Sequence, residues 1–295
     1  MKKKKAYSKK GASDHSRKKH IALWISALTL GGMLIIAGYM VYFCGKEEPY
    51  QKDSPLPKIR QKTEVQDGTL LPVRTEKRAA FVIDDMGYDL SIFHEILALD
   101  IPVTISILPH LPHATTIAVE AYGAGREVML HLPMEPHGYP ERNPGRGVLL
   151  LEMNNDELLA QLREDIRNVP HITGVNNHMG SSFMENEKKV EVVLRELKRR
   201  GLFFLDSLTT NNSKGVVVAE RIGLPHVGRD IFLDNDCEFE KAMAILRRII
   251  EKREEWKTMV IIGHPYESTV RAIDKSIDIF RRNGIRIVPL SALVD

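Results

Sequence analysis

Six polar residues stand at or just beyond the ends of short apolar runs: Asp84 and Asp85, His131, His178, Asp206 and His264. One carboxylate with two imidazoles is the ligand set of a catalytic zinc site that keeps a fourth position open. Asp85, His131 and His178 can supply that set. A divalent ion held there lowers the pKa of a coordinated water and polarises a carbonyl oxygen, so a hydrolase needs besides it a base, an acid and a pocket. Asp84, adjacent in sequence, can accept the water's proton, and His264 can give a proton to a leaving amine. Taken singly, an Asp after a strand is an ordinary turn former or helix cap, and a lone His is an ordinary hydrogen-bonding residue. Six such residues at one type of position are much harder to explain by capping.

The elements that must position them form a regular series. Apolar, β-branched runs cover residues 79–83, 103–108, 127–132, 174–177, 202–205, 231–233, 259–262 and 285–289. Between them, segments such as 156–169, 187–200, 238–255 and 269–283 carry apolar residues at i, i+3, i+4 spacing. Continuous rather than alternating apolar strands are what a parallel sheet covered on both faces requires. The alternation of strand and helix predicts an α/β fold, either a barrel or a doubly wound open sheet. No GxGxxG or GxxxxGK[ST] follows the first strand, which removes support from the nucleotide-binding versions of the open sheet. In a barrel, the six polar residues all fall on the rim at the carboxyl ends of the strands.

The chain has 295 residues, 43% hydrophobic and 27% charged, with 2 Cys, a composition that excludes disulfide-stapled and wholly disordered classes. Its net charge of +3 conceals an asymmetry. Residues 1–20 hold nine Lys/Arg against one acid, whereas 79–295 hold 25 Lys/Arg against 32 Asp/Glu. A body with a charge of −7 lacks the cationic excess that phosphate-backbone binding needs, so no nucleic-acid partner is expected. Residues 21–43 carry no charged side chain over 23 positions, long enough to cross a bilayer core of about 30 Å. They predict a single transmembrane signal anchor, with the basic tail 1–20 cytoplasmic and the rest exported. Residues 44–78, with four prolines among mixed charges, read as a flexible linker, which leaves 79–295 as the folded domain.

The segments Phe81-Val82-Ile83-Asp84-Asp85-Met86-Gly87, Leu130-His131-Leu132-Pro133-Met134-Glu135, Asn176-Asn177-His178-Met179-Gly180-Ser181, Phe204-Leu205-Asp206-Ser207, residues 228–234 (GRDIFLD) and Ile262-Gly263-His264-Pro265 occur in that order. The series resembles the divergent polysaccharide deacetylase family 2, of the NodB-like carbohydrate esterase superfamily, over about 79–295. The resemblance implies a distorted (β/α) barrel of about seven parallel strands and a site dependent on a divalent metal, Zn²⁺ in this reading. By superfamily analogy it also implies removal of acetyl groups from an N-acetylated glycan.

The chain departs from the superfamily in its second motif, where the position four after His131 is Glu135 instead of a second histidine. His178, from the next strand, is expected to replace the missing ligand, with Glu135 as an additional carboxylate or a supporting partner. Asp84 and His264 correspond to the catalytic base and acid. Arg229 is expected to orient Asp84 or Asp206 through bidentate hydrogen bonds, or else to make an ordinary structural ion pair. Together these features predict an exported, membrane-tethered hydrolase of an envelope polysaccharide, with the catalytic domain on the extracytoplasmic (periplasmic) side of the inner membrane. The competing reading is a non-catalytic carbohydrate-binding or envelope-organising protein on the same barrel. Hydrolysis of another amide or of a phosphoester is compatible with the same ligands.

Overall fold

The computed structural model describes residues 76–294. The expected span 21–43, the basic tail and all but the end of the linker lie outside them. Among the described residues no helix is long and apolar enough to cross a membrane.

The described residues form one sheet of nine strands: β1 (Lys77–Met86), β2 (Thr104–Ile107), β3 (Val128–Met134), β4 (Ile172–Met179), β5 (Phe203–Asp206), β6 (His226–Gly228), β7 (Ile231–Phe232), β8 (Thr258–Gly263) and β9 (Ile285–Ile287). Their order is β6-β5-β4-β3-β2-β1-β8-β7, with β9 on the amino-terminal end of β1. Every pairing is parallel. The two ends of this path, β6 and β7, are separated in sequence only by Arg229 and Asp230. The sheet therefore curls round on itself and stays open along that one seam, a distorted barrel with more strands than the seven implied by the resemblance. The strand with no counterpart among the apolar runs is β6. It has three half-buried residues, of which only Val227 is a large aliphatic.

Among the described residues seven α-helices cover the outside: α1 (Leu90–Leu97), α2 (Ala114–Gly123), α3 (Asn155–Asn168), α4 (Glu187–Arg199), α5 (Gly215–Ile222), α6 (Phe239–Glu251) and α7 (Glu267–Arg282). Local chemistry starts the third of these. The Asn154 side chain accepts from Asp156 and Glu157 N–H while Glu157 returns a bond to Asn154 N–H, a complete capping box.

Strand alternation divides the core in two. Ala79, Phe81 and Ile83 of β1, with Leu130, Val175, Phe204 and Ile261, join the large cluster between sheet and helices. Ala80, Val82, Met129, Phe203, Leu205, Val260 and Ile262 form a smaller cluster inside the barrel. Val288, Leu290 and Leu293, from the chain after β9, belong to the same inner cluster. Leu290 N–H donates to Thr104 Oγ1 and Ser291 N–H to Glu127, at the amino ends of β2 and β3. The barrel is thus plugged at its amino-terminal end, and the carboxyl end is left for polar side chains.

Candidate metal and acid–base site

Because side chains alternate along a strand, the inner cluster dictates which polar residues share the barrel interior. Positions 80 and 82 point inward, and so does Asp84. Met129 leads to His131, Gly174 to Asn176 and His178, and Val260 and Ile262 to His264. All five are buried, with Asp84 1%, Asn176 0%, His131 3%, His178 7% and His264 8% exposed. Pairing of β3 with β4 sets His131 beside Asn176 and Pro133 beside His178.

Asp85 breaks the alternation. By parity it belongs with the outward Ile83, but its φ of 56° is left-handed and the β1–β2 register slips between Ile83 and Met86. Such a bulge re-aims a side chain, and here the carboxylate joins the imidazoles. Asp85 Oδ1 lies 3.2 Å from His131 Nε2 and 3.1 Å from His178 Nδ1, and the two ring nitrogens are 3.1 Å apart.

This triangle fits a metal ion. Tetrahedral ligands at about 2.0–2.2 Å from zinc are separated from one another by roughly 3.3–3.5 Å, close to the spacing of the three donors. Asp85 Oδ1 is buried and makes no hydrogen bond of acceptable geometry despite its two close nitrogens. Among the described residues the His, Cys, Asp and Glu donors that converge in this way are Asp85, His131 and His178. Burial would raise the Asp85 carboxyl, but the charge of His178 and the close approach of both imidazole nitrogens hold it well below the usual carboxylate range. Burial would likewise lower His131, but Asp84 and Asp85 raise it above the usual imidazole value. Carboxylates that draw a proton to His131 in this way are ones beside which a cation can take the proton's place.

The other two candidates flank the triangle. Asp84 accepts the Asn176 amide at 2.9 Å on Oδ1 and 3.1 Å on Oδ2, and its Oδ1 lies 3.7 Å from His131 Nδ1. His264 is held by a residue that the sequence reading did not single out. Asp234 Oδ1 is 2.8 Å from His264 Nδ1, and Oδ2 accepts from His264 N–H at 2.6 Å and from Thr269 Oγ1 at 2.7 Å. This leaves Nε2 as the ring atom directed away from Asp234. The positive charge of His264 helps to lower Asp85, so the imidazole is within electrostatic reach of the triangle. Asp234 stands in the 228–234 segment, and its pairing with a residue 30 positions later is what hid its role.

The three remaining candidates sit elsewhere around the rim. Glu135 Oε2 accepts Leu151 N–H at 2.7 Å, tying the end of β3 to the loop that returns before α3. Asp206 follows the outward Phe204 and turns to the helix side. It accepts from Ser213 Oγ at 2.6 Å and Leu208 N–H at 2.9 Å, and a Cβ on Gly215, at the start of α5, would lie 2.3 Å from its Oδ2. Burial raises its pKa, against the lowering effect of these hydrogen bonds and of Arg229. Arg229 donates to the carbonyls of Ser207 (2.7 Å) and Leu208 (3.1 Å), and its guanidinium lies 3.8 Å over the Phe232 ring. Together with Asn177, which accepts Ser207 N–H at 2.9 Å, it shapes the turn that carries Ser207. These geometries make Asp206 and Arg229 organisers of the turn after β5.

Residues 81–294 match the sequence profile of the divergent polysaccharide deacetylases. The chain belongs to that family. A relative from Escherichia coli K12, the uncharacterized protein YibQ, is 33% identical over 200 residues, which are 68% of this chain and 62% of that one. The chain thus spans less than two thirds of the length of that relative. An uncharacterized Haemophilus influenzae protein is 29% identical over 206 residues, 68% of this chain and 71% of its own. Among solved structures, the uncharacterized protein ATU2773 of Agrobacterium tumefaciens C58 superposes with a TM-score of 0.70 at 26% identity, over 74% of this chain and 89% of its own. The polysaccharide deacetylase-like barrel is therefore the fold of this protein.

Proposed function

We propose that the protein is a metal-dependent hydrolase that removes acetyl groups from an N-acetylated envelope polysaccharide. The observation that carries this reading is the coincidence, on one rim, of three converging ligand atoms, a carboxylate beside them and a carboxylate-held imidazole. Asp85, His131 and His178 would hold a divalent ion, Zn²⁺ being suited to two nitrogens and one oxygen with an open position. Such an ion supplies Lewis acidity to a carbonyl and makes water a competent nucleophile near neutral pH.

The chain's own groups do the rest. Asp84, fixed by Asn176, takes the proton that the attacking water must lose. His264, with Nδ1 held by Asp234, gives a proton from Nε2 to the sugar nitrogen as the C–N bond breaks. The products are acetate and a free amine. A general acid or base typically contributes 10²–10⁴-fold. We further propose that residues 21–43 anchor the domain to the inner membrane and that the linker 44–78 places it on the extracytoplasmic side. The charge asymmetry and the length of the uncharged stretch support this topology.

The decisive experiment measures acetate release from chitooligosaccharides and peptidoglycan fragments by the full chain, with and without added Zn²⁺, alongside Asp84→Asn. Zn²⁺-dependent release that falls about 10²–10⁴-fold in the variant with the metal still bound is the expected result. Zn²⁺ binding with no release from any N-acetylated glycan would favour the non-catalytic glycan-binding reading.

A further inference from the structure

We propose that Asn176 is the positioning residue that commits His131 to bind a cation through Nε2, and that Asp84 locks it in this task. The inference rests on the metal reading above. Asn176 is wholly buried and uses its full hydrogen-bonding capacity of two acceptor lone pairs and two donor hydrogens. Its Oδ1 accepts from Ser106 Oγ at 2.6 Å and faces His131 Nδ1 at 3.0 Å. Its Nδ2 donates one hydrogen to Asp84 and the other to Ser207 Oγ at 3.1 Å.

Amide orientation is commonly ambiguous, but here Asp84 decides it. A carboxylate offers only lone pairs, so turning the amide over would set Oδ1 against Asp84 and the NH₂ group against Nδ1–H. With Oδ1 held towards His131, the imidazole must carry its proton on Nδ1. The lone pair is then on Nε2, the atom that lies 3.2 Å from Asp85 Oδ1 and 3.1 Å from His178 Nδ1. Partners of this kind fix the tautomer of a metal-binding histidine and make it more basic. One side chain thus connects the residue proposed as base to the ligand set, and saturation of all four of its bonds leaves it no second arrangement.

Zn²⁺ affinity measured by chelator competition on the full chain tests this, with Asn176→Leu, the double variant Asn176→Asp with Asp84→Asn, and the parent compared. Asn176→Leu removes the acceptor at Nδ1 and should weaken Zn²⁺ binding by about 10–100-fold, the usual effect of losing such a partner. The double variant exchanges the two side chains, so that a carboxylate at 176 again accepts at Nδ1 while an amide at 84 keeps a donor between them, and it should recover most of that loss, a rescue that a purely packing role would not produce. A second measurement needs no variant. In the Zn²⁺-loaded parent with ¹⁵N-labelled histidine, His131 should show a protonated, slowly exchanging Nδ1 and a metal-shifted Nε2. Parental affinity in Asn176→Leu, absence of rescue in a folded double variant, or a metal-shifted Nδ1 on His131 would each overturn the proposal while leaving the metal site standing. A parent that binds no Zn²⁺ would overturn the metal reading and this inference with it.

Discussion

Replacing Asp234 by Asn tests whether His264 is the proton donor, because the substitution keeps the shape and changes only what the group can accept. The wild-type carboxylate receives three hydrogen bonds, two on Oδ2 and one on Oδ1. Asparagine has one oxygen, and the backbone N–H of His264 and the Thr269 hydroxyl both call for it at the Oδ2 position. The NH₂ group then faces Nδ1, which must become an acceptor. A neutral ring with its proton on Nε2 satisfies that arrangement, but an imidazolium would set two N–H groups against each other. The protonated ring therefore loses a charge-assisted hydrogen bond, about 1.5–3 kcal/mol, and meets an unsatisfied buried donor, about 1–3 kcal/mol more. The sum corresponds to roughly 10²–10⁴-fold in rate, which is also the range of a general acid's whole contribution. Acetate release at saturating glycan should show this loss in kcat with KM little changed, and Zn²⁺ content should equal that of the parent. Asp234→Asn turning over at the parental kcat would refute the assignment of His264 as an acid held by Asp234.

Three further outcomes are expected. His178→Ala removes one of three protein ligands and should lower Zn²⁺ affinity by at least the 10–100-fold typical of losing a supporting partner; full metal occupancy under dilute chelator would mean that His178 is not a ligand. Asp230, whose Oδ2 accepts Val260 N–H at 2.7 Å, is pushed by burial up to about 6, against the lowering effects of that bond and of Arg229. A carboxyl raised in the folded state loses stability as pH rises from about 4 to about 6, up to about 3 kcal/mol for this shift. Asp165, also raised by burial to about 6, titrates in both proteins, so urea titrations across that range should show a loss smaller by this amount in Asp230→Asn than in the parent, and parallel curves would refute it. A reporter fused after residue 78 should be active only outside the cytoplasm, and activity of a cytoplasm-restricted reporter there would overturn the proposed topology.

Much of this site can be read from local pattern alone. Continuous apolar runs broken by amphipathic segments specify parallel strands with covering helices, because each element must bury its own apolar face. The strand ends then place Asp84, Asp85, His131, His178 and His264 on a single rim, where the structure brings them together. Period-two alternation, followed outward from Val82, Met129 and Val260, also points Asp84, His131 and His264 into one interior. The same rule applied to β5 turns Asp206 away, since it shares the face of Phe204, and its carboxylate closes on Ser213 and the start of α5.

Other features were decided only by the folded chain. Asp85 reaches the imidazoles because a left-handed φ and a slipped register reverse the direction its parity assigns, and no composition or spacing encodes that dihedral. The short β6 leaves almost no apolar signature, so its place at the open seam depends on pairing with β5. Asn176 and Asp234 are ordinary polar residues in sequence. Their importance comes from partners as far as 92 residues away, Asp84 for the first and His264 for the second. Hydrophobic periodicity is a property of neighbours along the chain, whereas the tautomer of an imidazole and the aim of a carboxylate are set by atoms that meet only after the sheet has curled.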